Sequence, residues 1–424
     1  MLTHILHNSP ALCTFLDQLD LSLSQPQRQH VLNLADALLV CDSTKTLAEL
    51  QRQFVDCVDP SNMADTLRIA PWTAADLRHP LQAFILREAL AQAQAAQMLT
   101  YIAVSIDDSI TAKHKHTRQL EPVDWHYDHL ESTPHHPRFK NGLAYVQCNL
   151  WLGQTAFTFE VRPYLREKTV RRLNRTRAPA ERIAFRSKMH LARDILSALA
   201  PLLPDEVPVY VLHDSWYASA RLLKFTHRHT WHTMTALKFN RKLNHQRLDQ
   251  HSLALRHQRY EAVTVTATDG TQTTYYTRPL FGRLEDLPFD LRVIDSKGHP
   301  GAPRSAYFGC TDLTLETQPA LQIYGHRWGC ETDNVYLHTR LGLGDFRVRS
   351  YEAVDKWMAI VQLALVYAQW RLLHERSARL KSVADVIRVH RDEHTQDWLR
   401  GACQEAIATG ELDVVLQHFL RLDA

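Results

Sequence analysis

Tyr101-Ile-Ala-Val-Ser-Ile106 is a short apolar run, rich in β-branched and aromatic residues, that ends at two adjacent acids, Asp107 and Asp108. Such a run predicts a buried strand. A second run, Val207-Pro-Val-Tyr-Val-Leu-His213, ends in the same way at Asp214. Two strands that each deliver a carboxylate at their end predict a sheet edge where acids from distant parts of the chain lie close together.

Two further β-rich segments, 143–152 and 155–163, lie between these runs and are joined across Gly153-Gln154, a sequence typical of a two-residue hairpin turn. A helix is predicted from about Lys188 to Ala200. The order is therefore three strands, a helix and a fourth strand, with an acid on the first strand and another after the fourth. This order matches a ribonuclease-H-like core, so we expect an α/β fold.

A third acid lies in Tyr324-Gly-His-Arg-Trp-Gly-Cys-Glu331, which is followed seven residues later by His338. At 3.6 residues per turn, the spacings of 3, 4 and 7 place Tyr324, Arg327, Glu331 and His338 on one stripe of a helix predicted over residues 317–338. A tyrosine, an arginine and a carboxylate on one face suit a surface that holds a phosphate and a metal ion.

Composition narrows the class of protein. With 424 residues and 45% apolar content, the chain is long enough for two or three domains with cores of their own. The seven cysteines include no C-x-x-C pair, which argues against a disulfide framework and a cysteine-ligated zinc site. We find no membrane span and no secretory signal, so a cytoplasmic location is expected. The net charge is only +3, yet residues 162–188 carry ten Arg or Lys against two Glu.

The periodicity changes along the chain. The first hundred residues read as helices, with capping boxes at Ser24–Gln27 and Thr46–Glu49 and a further helix opened by Thr73. Short strands replace helical patterns between about 231 and 305, and helices return after 350. The predicted organisation is an N-terminal helical region (1–99), the first part of the core (100–230), a mostly β insertion (231–305), the second part of the core (306–350) and a C-terminal helical region (351–424).

These motifs resemble the DDE transposases of bacterial insertion sequences (the insertion-sequence-four-like superfamily), which carry a Tyr-x2-Arg-x3-Glu-x6-Lys signature. Tyr324, Arg327 and Glu331 match the signature at the right spacing, whereas His338 stands at the lysine position. The segments around the two strand-end acids, 106–109 and 213–217, also look like motifs of that group. The resemblance covers about residues 100–370. The helices of 1–99 fall outside the catalytic core, and we expect them to form a DNA-binding domain.

The resemblance implies a site for cleaving DNA strands at the ends of an element and joining them to target DNA. Asp107, Asp214 and Glu331 would bind two Mg²⁺ ions, which Mn²⁺ can replace. With the ions about 4 Å apart, one would activate the attacking hydroxyl and the other would stabilise the leaving oxygen. The DNA-binding residues that we expect are Tyr324, Arg327, Trp328, His338, Lys188, Arg347 and Arg349. The expected partners are double-stranded DNA, as terminal inverted repeats and target, and a second copy of the chain in a homodimeric synaptic complex near the bacterial nucleoid.

Several alternatives stay open at this stage. Strand alternation allows only one of Asp107 and Asp108 to face Asp214, and the resemblance favours Asp107. Trp328 is either a core residue or a platform for a base flipped out of the duplex. A cluster of histidines around His126 and His129 permits a zinc site but lacks a matching cysteine pair. The function is either that of a transposase, of a hydrolytic nuclease on the same fold, or of a DNA-binding protein that has lost catalysis.

Overall fold

The computed structural model describes residues 4–56, 59–129, 131–133, 135–267, 270–375, 377 and 379–420. Five helices precede the first long strand. The Ser24–Gln27 capping box is present at the start of the second helix, and Thr73 forms another with Asp76 at the start of the fifth. The helices are α1 (Pro10–Asp17), α2 (Gln25–Val40), α3 (Leu47–Gln51), α4 (Pro60–Arg68) and α5 (Ala74–Ala95).

The first half of the core contains the strands expected from the sequence and one short strand that was not predicted, Asp124–Tyr127. Antiparallel pairs join the first, third and fourth strands. The elements are β1 (Ile102–Ala112), β2 (Asp124–Tyr127), β3 (Phe139–Leu152), β4 (Thr155–Tyr164), α6 (Glu167–Leu173), α7 (Lys188–Leu199) and β5 (Val209–His213), with 3₁₀ turns at Pro179–Glu181 and Ala200–Leu202.

The second half of the chain returns to the same sheet before it becomes helical. Its elements are α8 (Ala220–Arg228), β6 (His232–Leu237), β7 (Lys242–Leu243), β8 (Gln246–Arg247), α9 (Leu248–Ala254), β9 (Glu261–Thr266), β10 (Gln272–Arg283), β11 (Asp290–Lys297), β12 (Ala306–Cys310), α10 (Thr317–Gly325), α11 (Trp328–Val335), a π-helix (Tyr336–Arg340), α12 (Tyr351–His374), α13 (Val383–Thr409) and α14 (Leu412–Leu420).

Ten strands form one mixed sheet in the order β2-β3-β1-β5-β6-β12-β11-β10-β9, with β4 also paired to β3. The expected α/β class is confirmed. β1, β5 and β6 run parallel, with Ile106 opposite His213. The residues that follow, Asp107 and Asp214, therefore lie side by side at the carboxyl edge of the sheet.

The longer strands of residues 231–305 belong to the central sheet and do not form a β insertion of their own. β6 pairs in parallel with β5, and β12 pairs with β6, so the later strands β11, β10 and β9 extend the central sheet instead of forming their own. Sequence periodicity identifies strands but carries no information on which distant strand each one joins. The segment also includes the helix α9.

The single helix predicted over residues 317–338 is divided into three parts, and that prediction was wrong. α10 ends at Gly325, α11 begins at Trp328, and the π-helix starts at Tyr336. Each turn of a π-helix takes more residues than an α-turn, which rotates the side chains that follow away from a stripe based on 3.6 residues. The regular spacing on which the stripe was based therefore ends at Val335, before His338.

One hydrophobic core joins the N-terminal helices to the sheet. Side chains of α2, α5, β3 and β4 pack with α12, whose residues from Trp357 to Ala368 are almost all fully buried. The N-terminal helices thus share a core with the sheet that carries the acids. Among the helices that the structure describes, none combines the length and apolarity needed to cross a membrane.

A buried polar cluster links the two ends of the chain. Nε2 of His390 and of His394 lie 2.7 and 2.8 Å from Oδ1 of Asp36, and the backbone N–H of Ser9 donates to Oδ2. Burial opposes the charge on Asp36, but the histidine hydrogen bonds outweigh it and hold the pKa of this carboxyl well below its usual range. The distances fit N–H···O bonds; two ligands at ~2.0 Å from a tetrahedral zinc ion would lie roughly 3.3 Å apart.

We expect Asp36→Ala to lower the free energy of unfolding by about 3 kcal/mol or more, because it leaves two buried imidazoles and one backbone N–H without their acceptor. Urea denaturation measures the change. Asp17→Ala is the matched control, since Asp17 is exposed and paired with Arg28 and its loss is expected to cost less than about 1 kcal/mol. Equal effects of the two substitutions would contradict this role for the cluster.

Candidate active site

Asp107 and Asp108 point in different directions from β1. Oδ2 of Asp107 lies 3.1 Å from Nη1 of Arg327, whereas Asp108 forms an ion pair with Lys188 at the start of α7. Adjacent residues of a strand face opposite sides of the sheet, and here Arg327 occupies one side and Lys188 the other. Asp107 is therefore the acid that faces the helix carrying Glu331.

Asp214 is held by a turn at the end of β5. Its Oδ1 accepts the backbone N–H groups of Trp216 and Tyr217 at 2.9 and 3.2 Å, an Asx-type turn that fixes the carboxylate against the chain. The second oxygen, Oδ2, is the one available to a metal ion. The residue before it, His213, is fully buried and bonded to Thr235, and burial lowers the pKa of His213 to about 4.

Glu331 lies in the first turn of α11, with its side chain 43% exposed. Arg327, one turn earlier, reaches both acids: Nη1 is 3.1 Å from Asp107 Oδ2 and 3.5 Å from Glu331 Oε1. One cation thus bridges a carboxylate from the sheet and a carboxylate from the helix. This contact fixes the two acids in one site although 220 residues separate Arg327 from Asp107.

Two features seat α11 closely against the sheet. A Cβ at Gly329 would lie 2.7 Å from Oδ1 of Asn149 on β3, so a larger residue here would have to displace that buried side chain. Two residues after Glu331, the buried Asp333 accepts hydrogen bonds from Asn149, Thr158 and Gln369, which belong to β3, β4 and α12. Burial nevertheless raises the pKa of Asp333 to about 6. Sequence reasoning missed this carboxylate, although an acid on the apolar side of a helix is a detectable signal.

Asp333→Ala is expected to destabilise the fold by about 2–4 kcal/mol, because three buried donors lose their acceptor together. Thermal and urea unfolding report the change. Thr332→Ala, one residue earlier on the exposed side of α11, serves as the control and is expected to change stability by less than about 0.5 kcal/mol. A neutral Asp333→Ala variant would show that the network does not hold the helix.

The electrostatic environment marks Asp107 as unusual. Burial is the largest influence and raises its pKa to about 7, while Asp214 and Glu331 raise it further by repulsion and the N–H of Asp108 and Arg327 act in the opposite direction. The effect of Asp214 and Glu331 on this pKa indicates that both carboxylates lie within electrostatic range of Asp107. Perturbed carboxylates of this kind cluster at functional sites.

The donor set fits divalent cations with oxygen ligands, such as Mg²⁺. The three acids are more widely spaced than a single-ion site: among the described residues, the one group of three His, Cys, Asp or Glu whose donor atoms all lie within 4.8 Å is Asp36, His390 and His394. A wider set of carboxylates suits a pair of ions about 4 Å apart. The histidines around His126 form no such group within the described residues, and burial lowers the pKa of His126 to about 4.

Three of the residues predicted to contact DNA differ in how far they are exposed. Tyr324 packs on Phe308 and is largely buried, its hydroxyl donating to the carbonyl of His213 at 3.4 Å. Trp328 is 65% exposed, which excludes a core role. His338 is half-buried, and its Nε2 lies 2.8 Å from the hydroxyl oxygen of Tyr145. Its contact with phosphate stays a prediction.

The remaining predicted cations lie around the edge of the site. Lys188 is held by Asp108 and lies about 5.5 Å from the centre of the Trp216 ring. Arg347 and Arg349 are both exposed beyond the π-helix. The partnership of Lys188 with Asp108 was not anticipated, since no local pattern links positions 80 residues apart.

A mixed sheet that presents acids from two parallel strands, with a third acid on a facing helix, is the arrangement of a DDE-type endonuclease fold. A family model described as a DDE superfamily endonuclease matches residues 15–272, and one described as a transposase DDE domain matches residues 184–367. The first spans more than half of the chain. The chain therefore belongs to the DDE superfamily endonucleases, enzymes that act on DNA with divalent metal ions. A search of curated proteins found no match.

Proposed function

We propose that this protein is a Mg²⁺-dependent transposase that cleaves DNA at the ends of its element and transfers the 3′-hydroxyl ends into target DNA. The observation that carries the proposal is the meeting of Asp107, Asp214 and Glu331 at one sheet edge, with Arg327 between two of them. The family membership supports DNA as the substrate. The finer assignment to insertion-sequence transposases rests on the Tyr324, Arg327 and Glu331 spacing.

In the proposed site the three carboxylates hold two ions, which supply activation of the attacking oxygen and stabilisation of the leaving one. The chain itself positions the substrate. Arg327 has a planar guanidinium that can bind two phosphate oxygens, and its place between Asp107 and Glu331 puts that phosphate beside the acids. Tyr324 lies beside Arg327, and the guanidinium carbon of Arg327 is 6.0 Å from the centre of the Tyr324 ring.

Trp328 is the proposed stacking platform for a base displaced from the duplex. Its exposed ring follows Arg327 directly, so a base held there would be next to the phosphate that Arg327 binds. Stacking of one base on an aromatic ring contributes ~1–3 kcal/mol. Lys188, Arg347 and Arg349 supply further contacts to the backbone of the duplex, which predicts binding that weakens steeply with salt.

Two further parts of the proposal concern assembly. The joining of two element ends requires two active sites, so we propose a homodimer in the synaptic complex, with the helices after residue 350 at the contact. We assign recognition of the terminal repeats to the N-terminal helices α1–α5, which contribute none of the acids. The organisation into a DNA-binding region, a core in two parts and a C-terminal helical region is part of this proposal.

The test is an incubation of the purified protein with Mg²⁺, a labelled duplex carrying the repeat that flanks its gene, and a supercoiled target plasmid. Nicking at the repeat boundary together with joined product supports a transposase. Metal-dependent cutting without joining favours the alternative of a hydrolytic nuclease. Tight binding with no cleavage in Mg²⁺ or Mn²⁺ overturns the catalytic proposal and leaves a DNA-binding protein.

A further inference from the structure

Exposed aromatic residues follow the carboxyl edge of the sheet away from the acids. Trp216 comes two residues after Asp214 at the end of β5, and Phe239 comes two residues after the end of β6; they are 38% and 57% exposed. β12 begins opposite the end of β6, because Tyr307 pairs with Leu237. The same edge therefore continues along the sheet past β6.

A large cavity lies further along this edge. Its volume is about 1290 Å³, and Phe239 is at its border. Tyr260, just before β9, and Tyr276 of β10 contribute aromatic rings to its wall. Tyr276 pairs with Lys297 at the end of β11, which places the cavity on the same edge as Asp107 and Asp214. Strands are ~4.8 Å apart, so the four steps from β5 to β10 span about 19 Å.

The wall of the cavity carries an excess of positive charge. Five cations line it against two carboxylates, Asp249 and Glu261; the cations are Arg256, Arg259, Arg278, Lys297 and Arg304. Arg278 is buried and committed to the fold, since it bonds to Asp295 and to the hydroxyl of Tyr260. Arg259 and Arg304 are exposed, and neither has a hydrogen-bond or ion-pair partner within the part of the chain that the structure describes. These two guanidinium groups are available to a ligand.

We propose that an unpaired segment of DNA strand runs from the active site over Trp216 and Phe239 and enters this cavity. The proposal rests on the proposed function, which supplies DNA as the substrate. Arginine side chains bind phosphates, and exposed aromatic rings at intervals stack bases without regard to sequence, which together define a single-strand track. At 3.4 Å per stacked nucleotide, 19 Å corresponds to about six nucleotides.

The size of the cavity favours a single strand over a duplex as its occupant. Pockets for small ligands have volumes of ~300–1,000 Å³, so a volume of about 1290 Å³ admits a few nucleotides. A double helix, whose major groove alone is ~12 Å wide, cannot enter it. The duplex part of the substrate stays at the acids, and only an unpaired extension reaches the cavity.

The experiment compares two fluorescent duplexes of the same sequence, one blunt and one with a single-stranded extension of eight thymidines. Glu331→Gln protein is used so that the DNA stays intact, and fluorescence anisotropy gives the dissociation constants. We expect the extension to tighten binding at least tenfold. The double substitution Arg259→Ala and Arg304→Ala is expected to remove most of that gain and to leave the dissociation constant of the blunt duplex within twofold. It should also lower the slope of log K against log salt for the extended duplex by about 1.4, since each phosphate contact of a single strand contributes ~0.7.

Two further variants separate stacking from charge. Tyr276→Leu is expected to weaken binding of the extended DNA about fivefold or more through loss of one stacking surface. The charge-matched control is Arg388→Ala with Arg400→Ala, which removes two exposed arginines of α13 remote from the cavity and is expected to leave the preference for the extension unchanged.

The proposal is overturned if blunt and extended duplexes bind equally, if the α13 control removes the preference as fully as the cavity variant, or if an extension of RNA binds more tightly than one of DNA. Failure here differs from failure of the proposed function. Wild-type protein that cleaves duplex DNA but ignores the extension retains the transposase proposal and refutes the track. Protein that neither cleaves nor binds any DNA refutes both.

Discussion

Asp214→Asn and Glu331→Gln are each expected to reduce DNA cleavage by about 10³-fold or more while the protein stays folded. Each amide removes a negative ligand from a site that owes several kcal/mol of transition-state stabilisation to its metal ions, and every 1.36 kcal/mol is a factor of ten in rate. Single-turnover cleavage of a labelled duplex in Mg²⁺ measures the loss, and thermal unfolding checks that the fold persists.

Asp108→Asn is the matched control for this experiment. Asp108 is a carboxylate adjacent to Asp107 on the same strand, but it is paired with Lys188 on the other side of β1. We expect its amide to lower cleavage less than tenfold, whereas Asp107→Asn should be as inactive as the other two variants. An inactive Asp108→Asn with an active Asp107→Asn would reverse the assignment of the first metal ligand.

The features that sequence predicted are those set by short-range rules. The strands that end at Asp107 and Asp214 are apolar runs followed by acids, whereas their pairing was expected from the order of elements along the chain. The capping box at Ser24 is equally local, because both of its hydrogen bonds lie within four residues. Each of these predictions needed only the periodicity of one element and its end.

The features that sequence missed depend on distant partners. Asp333 bonds to Asn149 only because α11 meets β3, and no pattern around residue 330 reveals that neighbour. The same limit applied to β6, whose place beside β5 follows from the crossover through α8. The helix around His338 differs from the prediction for another reason: it was assumed to be regular, and a π-helix begins at Tyr336.

Asp107→Asn is expected to raise the free energy of unfolding at pH 8 by roughly 1–3 kcal/mol even though it removes activity. Burial is the main cause that raises the pKa of Asp107 in the folded protein to about 7 from its usual value of 3.8. Holding this carboxylate charged in the folded state therefore costs free energy that the unfolded chain does not pay. The full difference between the two pKa values corresponds to roughly 4 kcal/mol. The Asp107→Asn variant regains only a part of this free energy, because it also loses the ion pair with Arg327.

The stability of the wild type relative to Asp107→Asn is expected to fall as the pH rises. Below about pH 4 Asp107 is protonated in both states, and the neutral residue contributes its full stability. Between about pH 4 and 7 the unfolded chain releases the proton while the folded protein retains it, so the stability of the wild type falls relative to Asp107→Asn, and above about pH 7 the difference is constant. Urea unfolding of both proteins in EDTA at pH 4.5 and 8 tests this, with Asp108→Asn expected to lose stability at pH 8 because it breaks the pair with Lys188. A difference between wild type and Asp107→Asn that does not change with pH would show that Asp107 is not held in an unfavourable charged state. If the difference grows as expected, the residue that destabilises the free protein is the one that cleavage requires, as is usual where a fold gives up stability for an active site.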